Sequence, residues 1–318
     1  MSESILVIKL GALGDFIQAL GPLAAIRAHH KDARIVLLTT RPYVALAEAT
    51  GLVDEVWLDP RPKLWQIGTW RSLRRIFKRG RFRRVYDLQT SDRSSFYYRL
   101  FWPQKPPKWS GIARGCSHPH ANPGRDAMHT VERQAEQLKM AGVSVTAFDD
   151  PAELDWSWAE TDVSALTPEG PYWIIAPGGA AHRPDKRWPE AHFIALARHL
   201  ADSGRTPVLI GGDDERPLTG AIAAAAPGAV DLAGQTELLQ LATLAKGAQG
   251  AVGNDTGPMH LAAAVGCPTW VLYSDASDPA LCGQRGRKVT ILRRPSLADL
   301  TPDEVIAELT LDKPDGAA

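Results

Sequence analysis

The sequence predicts an α/β fold made twice, as two Rossmann-like domains. Three observations predict it. Short apolar runs alternate with amphipathic helical stretches in both halves of the chain, the pattern of βα units around a parallel sheet. The 318 residues exceed what one hydrophobic core usually holds. Between about Asp149 and Pro171 the chain turns acidic, carries tryptophan and holds Pro151, Pro168 and Pro171. That stretch reads as a junction, giving a first domain of residues 1–160 and a second of 161–318.

In the first half, Ile5–Leu10 is a short apolar run suited to a strand buried on both faces. Gly11 to Gly14 ends it, and after Asp15 a helical pattern places Phe16, Leu20 and Leu23 on one face. Ile35–Thr39, Val56–Leu58 and Val85–Leu88 read as strands, and Ala141–Ala147 as a further segment. The second half alternates more cleanly. Tyr172–Ala176 is a strand, followed by the glycine loop Pro177-Gly178-Gly179. Trp188-Pro189-Glu190 opens a helix with Phe193, Leu196, Ala197 and Leu200 on its apolar face, since proline suits a first helical turn. Strands follow at Pro207–Ile210, Gly250–Val252 and Val271–Tyr273, with a helix through about Leu238–Ala245. Thr301-Pro302-Asp303-Glu304 is a capping box opening a last helix, which has the option of packing back on the first domain.

Composition narrows the classes of function. Cysteine is sparse and odd in number (Cys116, Cys267, Cys282), which reads as reduced thiols in a cytoplasmic protein. The first apolar run breaks at Lys9 and is too short for a signal-peptide core. No apolar run reaches the roughly 20 residues of a membrane span. The formal net charge is zero, yet residues 1–150 hold 23 Lys+Arg against 14 Asp+Glu, or +9, and residues 151–318 hold 13 against 22, or −9. The first half is therefore expected either to be solvated by the second or to meet something anionic.

The motif Asp255-Thr256-Gly257 spells the triplet of aspartic proteases. That reading fails, because the chain is α/β and carries the triplet once. Here Asp255 follows a strand and Pro258 opens a helix, so Asp255 or Thr256 is a cap. The amides of Thr256 to Met259 would then point out of a helix end that attracts anions such as phosphate, and Gly257 admits a ligand close to the backbone. Simple helix capping is the plain alternative. Lys186, after the glycine loop, can neutralise a phosphate as a point charge or be a solvated cation at a helix start. Asp213, Asp214 and Glu215 close a strand where a carboxylate can accept from a ribose hydroxyl, or compensate a helix dipole. Asp15 is either a cap or a carboxylate at the mouth of the first domain, placed to take a proton. Gly11 and Gly14 make a G-x-x-G, not a dinucleotide fingerprint. Ligands gather at the carboxyl ends of strands in such sheets, which predicts a site in the cleft between the domains.

Three stretches taken together resemble the ADP-heptose:lipopolysaccharide heptosyltransferases, glycosyltransferase family 9. They are Ile8-Lys9-Leu10-Gly11-Ala12-Leu13-Gly14-Asp15, Pro177-Gly178-Gly179 with Lys186-Arg187-Trp188-Pro189, and Gly253-Asn254-Asp255-Thr256-Gly257-Pro258-Met259-His260. The resemblance implies a GT-B fold and an inverting transfer of heptose from ADP-heptose to a lipopolysaccharide-core hydroxyl. It implies Asp15 as general base and Lys186 as the catalytic cation on the donor phosphates. Gly178, Gly179, Asp255, Thr256, Gly257 and His260 would hold the donor. Glu215 would lie near its ribose, and the segment around Thr236 would border its base. His182 and Arg183 stand where some members carry hydroxyl residues before the lysine, and would replace them on phosphate. No cofactor and no metal are implied, since the lysine and the helix dipole supply the positive charge.

The basic stretch from Arg71 to Arg84, continued by Arg93 and Arg114, admits a solvated face or nucleic acid. No nucleic-acid recognition motif accompanies it. Under the family resemblance Gly14, Arg71, Arg74, Arg75, Arg93 and Arg114 bind an anionic glycolipid acceptor, with peripheral contact at the inner-membrane surface. Phe96, Tyr97, Tyr98, Phe101 and Trp102 are then candidates to meet lipid, or core residues. Cys116, His118, His120 and His129 match no standard zinc spacing and read as a loop on the acceptor side. Two further readings stay open: a nucleotide-sugar epimerase of similar plan, and a binding protein that has lost catalysis.

Overall fold

The computed structural model describes residues 3–144, 154–180 and 182–309. The chain divides into two compact units, Met1–Glu160 with Ala280–Cys282, and Thr161–Pro279 with Gly283–Ala318. The first unit runs β1 (Ser4–Ile8), α1 (Leu13–Ile17), α2 (Leu20–His29), β2 (Arg34–Thr39), α3 (Val44–Ala49) and β3 (Glu55–Leu58). It continues with α4 (Ile67–Arg79), β4 (Arg84–Asp87), α5 (Asp92–Tyr97), β5 (Lys108–Gly111), β6 (His118–Pro119) and α6 (Thr130–Met140). The second unit runs β7 (Tyr172–Ala176), α7 (Glu190–Asp202), β8 (Thr206–Leu209), α8 (Arg216–Ala225), β9 (Val230–Asp231) and α9 (Leu238–Gly247). Then come β10 (Gly250–Asn254), α10 (Gly257–Ala264), β11 (Thr269–Tyr273), α11 (Pro279–Cys282), β12 (Val289–Arg293) and α12 (Pro302–Glu308).

Each unit holds a six-stranded sheet, ordered β3-β2-β1-β4-β5-β6 in the first and β12-β11-β10-β7-β8-β9 in the second. The pairings within them are parallel. Read from β9, the second order repeats the first, so both units follow one Rossmann-type plan. In such a sheet the strand order reverses at one place, and ligands collect outside the carboxyl ends of the strands there. The reversal lies at β1/β4 in the first unit and at β7/β10 in the second. Asp15 follows β1, Gly178 and Gly179 follow β7, and Asp255 follows β10.

The sheets are buried on both faces, which is why their inner strands read as continuous apolar runs. Ile5 to Ile8 and Ile174 to Ile175 are fully inaccessible. In the second unit Phe193, Leu196 and Leu200 of α7 pack on Trp173, Ile175 and Leu209. The last described helix, α12, packs on α7 of its own unit, through Val305 in the same core.

Local differences from the sequence expectation have identifiable causes. The single helix expected after Asp15 is two, interrupted at Gln18 and Ala19. Pro189 is the N-cap of α7 and lies before the first turn. Strands β5, β6, β9 and β12 and helices α3, α5, α6, α8 and α11 were not foreseen. Two of these strands are only two residues long, too short for a period to register. The segment expected at Ala141–Ala147 carries no regular element up to Ser144, and its remainder lies outside the described residues.

Candidate active site

The second unit's switch point is organised around Asp255. Its side chain is only 7 % exposed. Oδ2 accepts from Lys186 Nζ at 2.7 Å and from the Ser277 hydroxyl at 2.7 Å. Oδ1 accepts from Gln284 Nε2 at 3.2 Å, and the Tyr273 hydroxyl lies 2.9 Å away. That hydroxyl is also 2.8 Å from Gln284 Oε1, so its one proton is shared. Burial alone would raise the Asp255 pKa. The hydrogen bonds from Lys186 and Ser277 and the charges of Lys186 and His260 outweigh it and hold the carboxylate below its ordinary value. His260 is itself buried, with Nε2 4.0 Å from Asp255 Oδ1.

A carboxylate has about four lone-pair sites, and these contacts occupy them. In this arrangement the carboxylate fixes Lys186, whose ammonium has further donors to offer a ligand. Thr256 is the N-cap of α10 through its extended backbone, without a side-chain cap bond. Its hydroxyl donates to Asn254 O at 3.2 Å. The Met259 amide donates to Thr256 O at 3.2 Å, which removes it from the amides expected at this end. Thr256 and Gly257 remain.

The glycine loop is held from beneath. Asn254, fully buried, donates through Nδ2 to the carbonyls of Pro177 (2.8 Å) and Gly178 (3.0 Å) and accepts from the Trp188 amide at 2.9 Å. Glu215 accepts from the Gly179 amide (2.7 Å) and the Gly212 amide (2.9 Å). A Cβ on Gly178 would fall 1.7 Å from Glu215 Oε1, so a side chain there would push the Glu215 carboxylate off the amides it accepts from. Both oxygens expected near a ribose thus also brace backbone. Arg187 donates to the Gly179 carbonyl. His182 and Arg183 are exposed beyond the loop. Thr236 lies in the loop between β9 and α9, next to Gly234, where a Cβ would meet Asp213 at 2.2 Å. The loops carrying Gly178, Glu215, Thr236 and Asp255 thus all leave the carboxyl ends of neighbouring strands, β7, β8, β9 and β10.

The first unit's switch point carries Asp15 on the first turn of α1. The N-cap is Ala12, with no side-chain cap bond, so Asp15 does not serve as the cap. It is half-buried, while Gly14 before it is buried and its carbonyl accepts from the Gln18 amide. Gly11 takes a φ of +110°, and a Cβ there would lie 2.5 Å from the Tyr43 ring. Tyr43 in turn stacks on Phe16 at 5.0 Å. The charge of Asp15 is felt by Lys9, Tyr43 and Arg133. Lys9 is 4 % exposed, and burial lowers its pKa. Asp87, at the end of β4, is fully buried; burial raises its pKa to about 7, against the opposing pull of the Thr90 and Gln89 amides, the Ser94 hydroxyl and Lys9. The Leu10 amide donates to Gln89 Oε1 at 2.7 Å, tying the Asp15 loop to the loop after β4. Sequence reasoning passed over Tyr43, Asp87 and Arg133, and gave Lys9 no role beyond ending the first apolar run and standing in the family motif. The one signal available was a lysine ending an otherwise apolar strand.

The arginines expected on the acceptor side separate. Arg71, Arg74 and Arg75 line one recess on α4, and Arg114 lines another with Arg99 beside α5. Arg74 donates to the carbonyls of Leu100 (3.2 Å) and Trp102 (2.6 Å), and Arg93 donates to Pro62 O at 3.2 Å. Both therefore also support backbone. Of the aromatics considered for lipid, Tyr97 and Phe101 are core, and the Tyr98 hydroxyl donates to Gly115 O at 2.9 Å. Phe96 and Trp102 are exposed. Cys116, His118, His120 and His129 go to separate partners: Gly111 O, Ser117, Glu136 and the Val131 amide. Among the described residues no group of three or more His, Cys, Asp or Glu is placed to hold a metal ion.

Two Rossmann-type units of one plan, each built on a six-stranded parallel sheet, place the chain in the class of GT-B folds. Within that class the chain belongs to glycosyltransferase family 9 (heptosyltransferase), whose sequence model matches residues 70–301. It is 27 % identical to lipopolysaccharide heptosyltransferase 2 of Escherichia coli (strain K12), over 96 % of this chain and 97 % of that protein. The structure of a glycosyl transferase family 9 protein from Veillonella parvula DSM 2008 superposes with a TM-score of 0.79 at 20 % identity, covering 96 % of this chain and 95 % of that one. An E. coli heptosyltransferase solved with ADP superposes with a TM-score of 0.77 at 22 % identity, over 96 % and 98 % of the two chains.

Proposed function

We propose that this glycosyltransferase moves heptose from ADP-heptose to a hydroxyl of a lipopolysaccharide-core acceptor, with inversion at the anomeric carbon. The observation that carries the reading is the Lys186–Asp255 pair beside the open amides of Thr256 and Gly257. A fixed ammonium and a helix N-terminus together neutralise the charge that develops on a departing diphosphate. The Gly178–Gly179 loop admits the diphosphate close to backbone, with Glu215, His182, Arg183 and Thr236 toward the rest of the donor. Asp15 takes the proton of the attacking acceptor hydroxyl. A single displacement of this kind inverts the anomeric centre and needs no covalent intermediate. The curated relative's lipopolysaccharide acceptor and the ADP complex of the solved one support donor and acceptor classes. The basic first half suits an acceptor carrying phosphates or acidic sugars at the inner-membrane surface.

Asp15→Asn is expected to lower turnover by roughly 10²–10⁴, the usual contribution of a general base, while ADP binding by calorimetry stays as in the wild type. Full turnover in that variant removes Asp15 from the mechanism. Conversion of the nucleotide sugar with no acceptor present would make the protein an epimerase instead.

A further inference from the structure

The loop that follows β11 carries two buried hydroxyls with the same destination. Strands β10 and β11 run parallel with Asn254 opposite Leu272. Asp255 and Tyr273 are the next residues on each, so the chain beyond Tyr273 starts beside the Asp255 carboxylate. Ser274 is 2 % exposed and Ser277 9 %. Ser274 Oγ donates to the carbonyl of Asp185 at 2.6 Å, the carbonyl of the peptide that carries Lys186. Ser277 Oγ donates to Asp255 Oδ2 at 2.7 Å, the same oxygen that accepts from Lys186 Nζ at 2.7 Å. Gln284, also buried, donates to the other oxygen, Oδ1, at 3.2 Å. These residues all lie in the second unit.

Lys186 needs such support. Lysine is a point charge on a flexible four-carbon stem, and a charge aids a transition state only when it is fixed before the reaction. The turn that carries Lys186 is a short 3-10 segment, Pro184–Lys186. Within it the Lys186 amide donates to Arg183 O at 3.1 Å and the Arg187 amide to Pro184 O at 2.9 Å. The Asp185 carbonyl gains its bond from Ser274 instead. Hydroxyls that only closed their own loop would bond within it. Those of Ser274 and Ser277 donate to partners 89 and 22 positions away. The Ser274 oxygen is itself oriented by the Ala276 amide, which donates to it at 3.2 Å, and the Ser277 amide donates to Ser274 O at 3.2 Å. The two serines thus move as one piece.

We propose that Ser274 and Ser277 are positioning residues for the transfer: Ser274 sets where the Lys186 backbone stands, and Ser277, with Gln284, sets the carboxylate that aims its ammonium. Neither serine needs to touch the donor. Ser277 also shares Oδ2 with the ammonium, so the carboxylate does not claim Lys186 alone and the cation stays available to a departing phosphate. The proposal rests on the functional reading above, in which Lys186 meets the donor diphosphate.

The test is a double-mutant cycle on the full chain, with initial rates per folded protein measured for ADP-heptose and a lipopolysaccharide-core acceptor. Ser277→Ala is expected to lower kcat by about tenfold, the worth of one hydrogen bond to a charged group, and Ser274→Ala by about fivefold. The KM for ADP-heptose should stay within about twofold, because the lost interaction acts in the transition state. Ser277→Thr keeps the hydroxyl and is expected to restore most of the rate. In a Lys186→Ala background neither alanine substitution should lower kcat further, since both act through that lysine. If one alanine variant does not fold, the other carries the same cycle. Serine variants that turn over like the wild type while Lys186→Ala is slow overturn the positioning role and leave the functional reading intact. Equal losses with and without Lys186 overturn it as well, and make the loop a structural support only. Wild-type turnover by Lys186→Ala would instead reject the functional reading of the lysine, and the proposal with it.

Discussion

At the scale of single residues, Asp255 illustrates why a motif and its chemistry are different things. Three letters, D-T-G, are compatible with a protease, a helix cap or a ligand contact. The neighbours Lys186, Ser277, Tyr273 and Gln284 come from up to 69 positions away, and they make Asp255 the anchor of a cation. Breaking a buried ion pair by removing one partner costs several kcal/mol, because the other charge is left uncompensated. Asp255 would keep its neutral donors, so Lys186→Ala is expected to destabilise the protein by about 3 kcal/mol in urea unfolding. Asp255→Asn added to it should recover part of that loss and none of the ADP affinity. If the single variant unfolds at the wild-type urea concentration, the pair is not a structural anchor. The depressed Asp255 pKa carries a definite sign. Its stabilising contribution is present above the ordinary carboxylate range and is lost as pH falls through the lowered value.

At the scale of elements, the helix that best matches its sequence signal is α12. Thr301 Oγ1 accepts from the Glu304 amide at 3.3 Å, and Glu304 Oε2 accepts from the Thr301 amide at 2.8 Å. The capping box was readable because it is wholly local. The helix it starts secures the second core through Val305, and Trp270 Nε1 donates to Glu308 O at 3.0 Å. Thr301→Ala is expected to cost about 1 kcal/mol, the ordinary price of a lost N-cap, seen as a lower Tm; an unchanged Tm would mean that packing alone holds α12. The strands were legible wherever they are buried on both faces, as at Tyr172–Ala176. They were missed where they are short or peripheral: β9 is two residues, and β12 at the sheet edge has an exposed Ile291. An edge strand lacks the apolar run that burial imposes.

At the scale of the whole molecule, stability should depend on pH through a group that no motif announced. Asp87 lies wholly inside the first unit, where burial raises its pKa from 3.8 to about 7. Its partners across the switch point include Lys9, whose own pKa is lowered by burial. A carboxyl group with a raised folded pKa favours the folded state at low pH. That advantage is fully present below the unfolded value and is lost as pH rises toward 7. Asp87→Asn keeps an oxygen for the Gln89 and Thr90 amides, which now donate to Oδ1 at 3.1 and 3.0 Å, and removes the ionisation. The variant is expected to gain on the wild type as pH is raised from 4 to 8, by on the order of 3 kcal/mol at the upper end. Denaturant unfolding at a series of pH values measures this directly, and parallel curves for the two proteins would refute a raised Asp87 pKa.

The sequence by itself determined the two α/β units, most of their strands and the loops that end them. Hydrophobic periodicity, glycine, proline and caps act over a few residues and leave a readable pattern. The site motifs were legible for the same reason, since each loop joins a strand end to a helix start. Only the tertiary structure decided what those loops do to one another. It spent the oxygens of Asp255 on Lys186 and its neighbours and set Glu215 under the glycine loop. It closed Tyr43 over Gly11, buried Tyr97 and Phe101, and left Leu64 and Trp65 outside. These outcomes depend on distances between residues tens of positions apart and on which atoms lose water, and neither leaves a local trace in the chain.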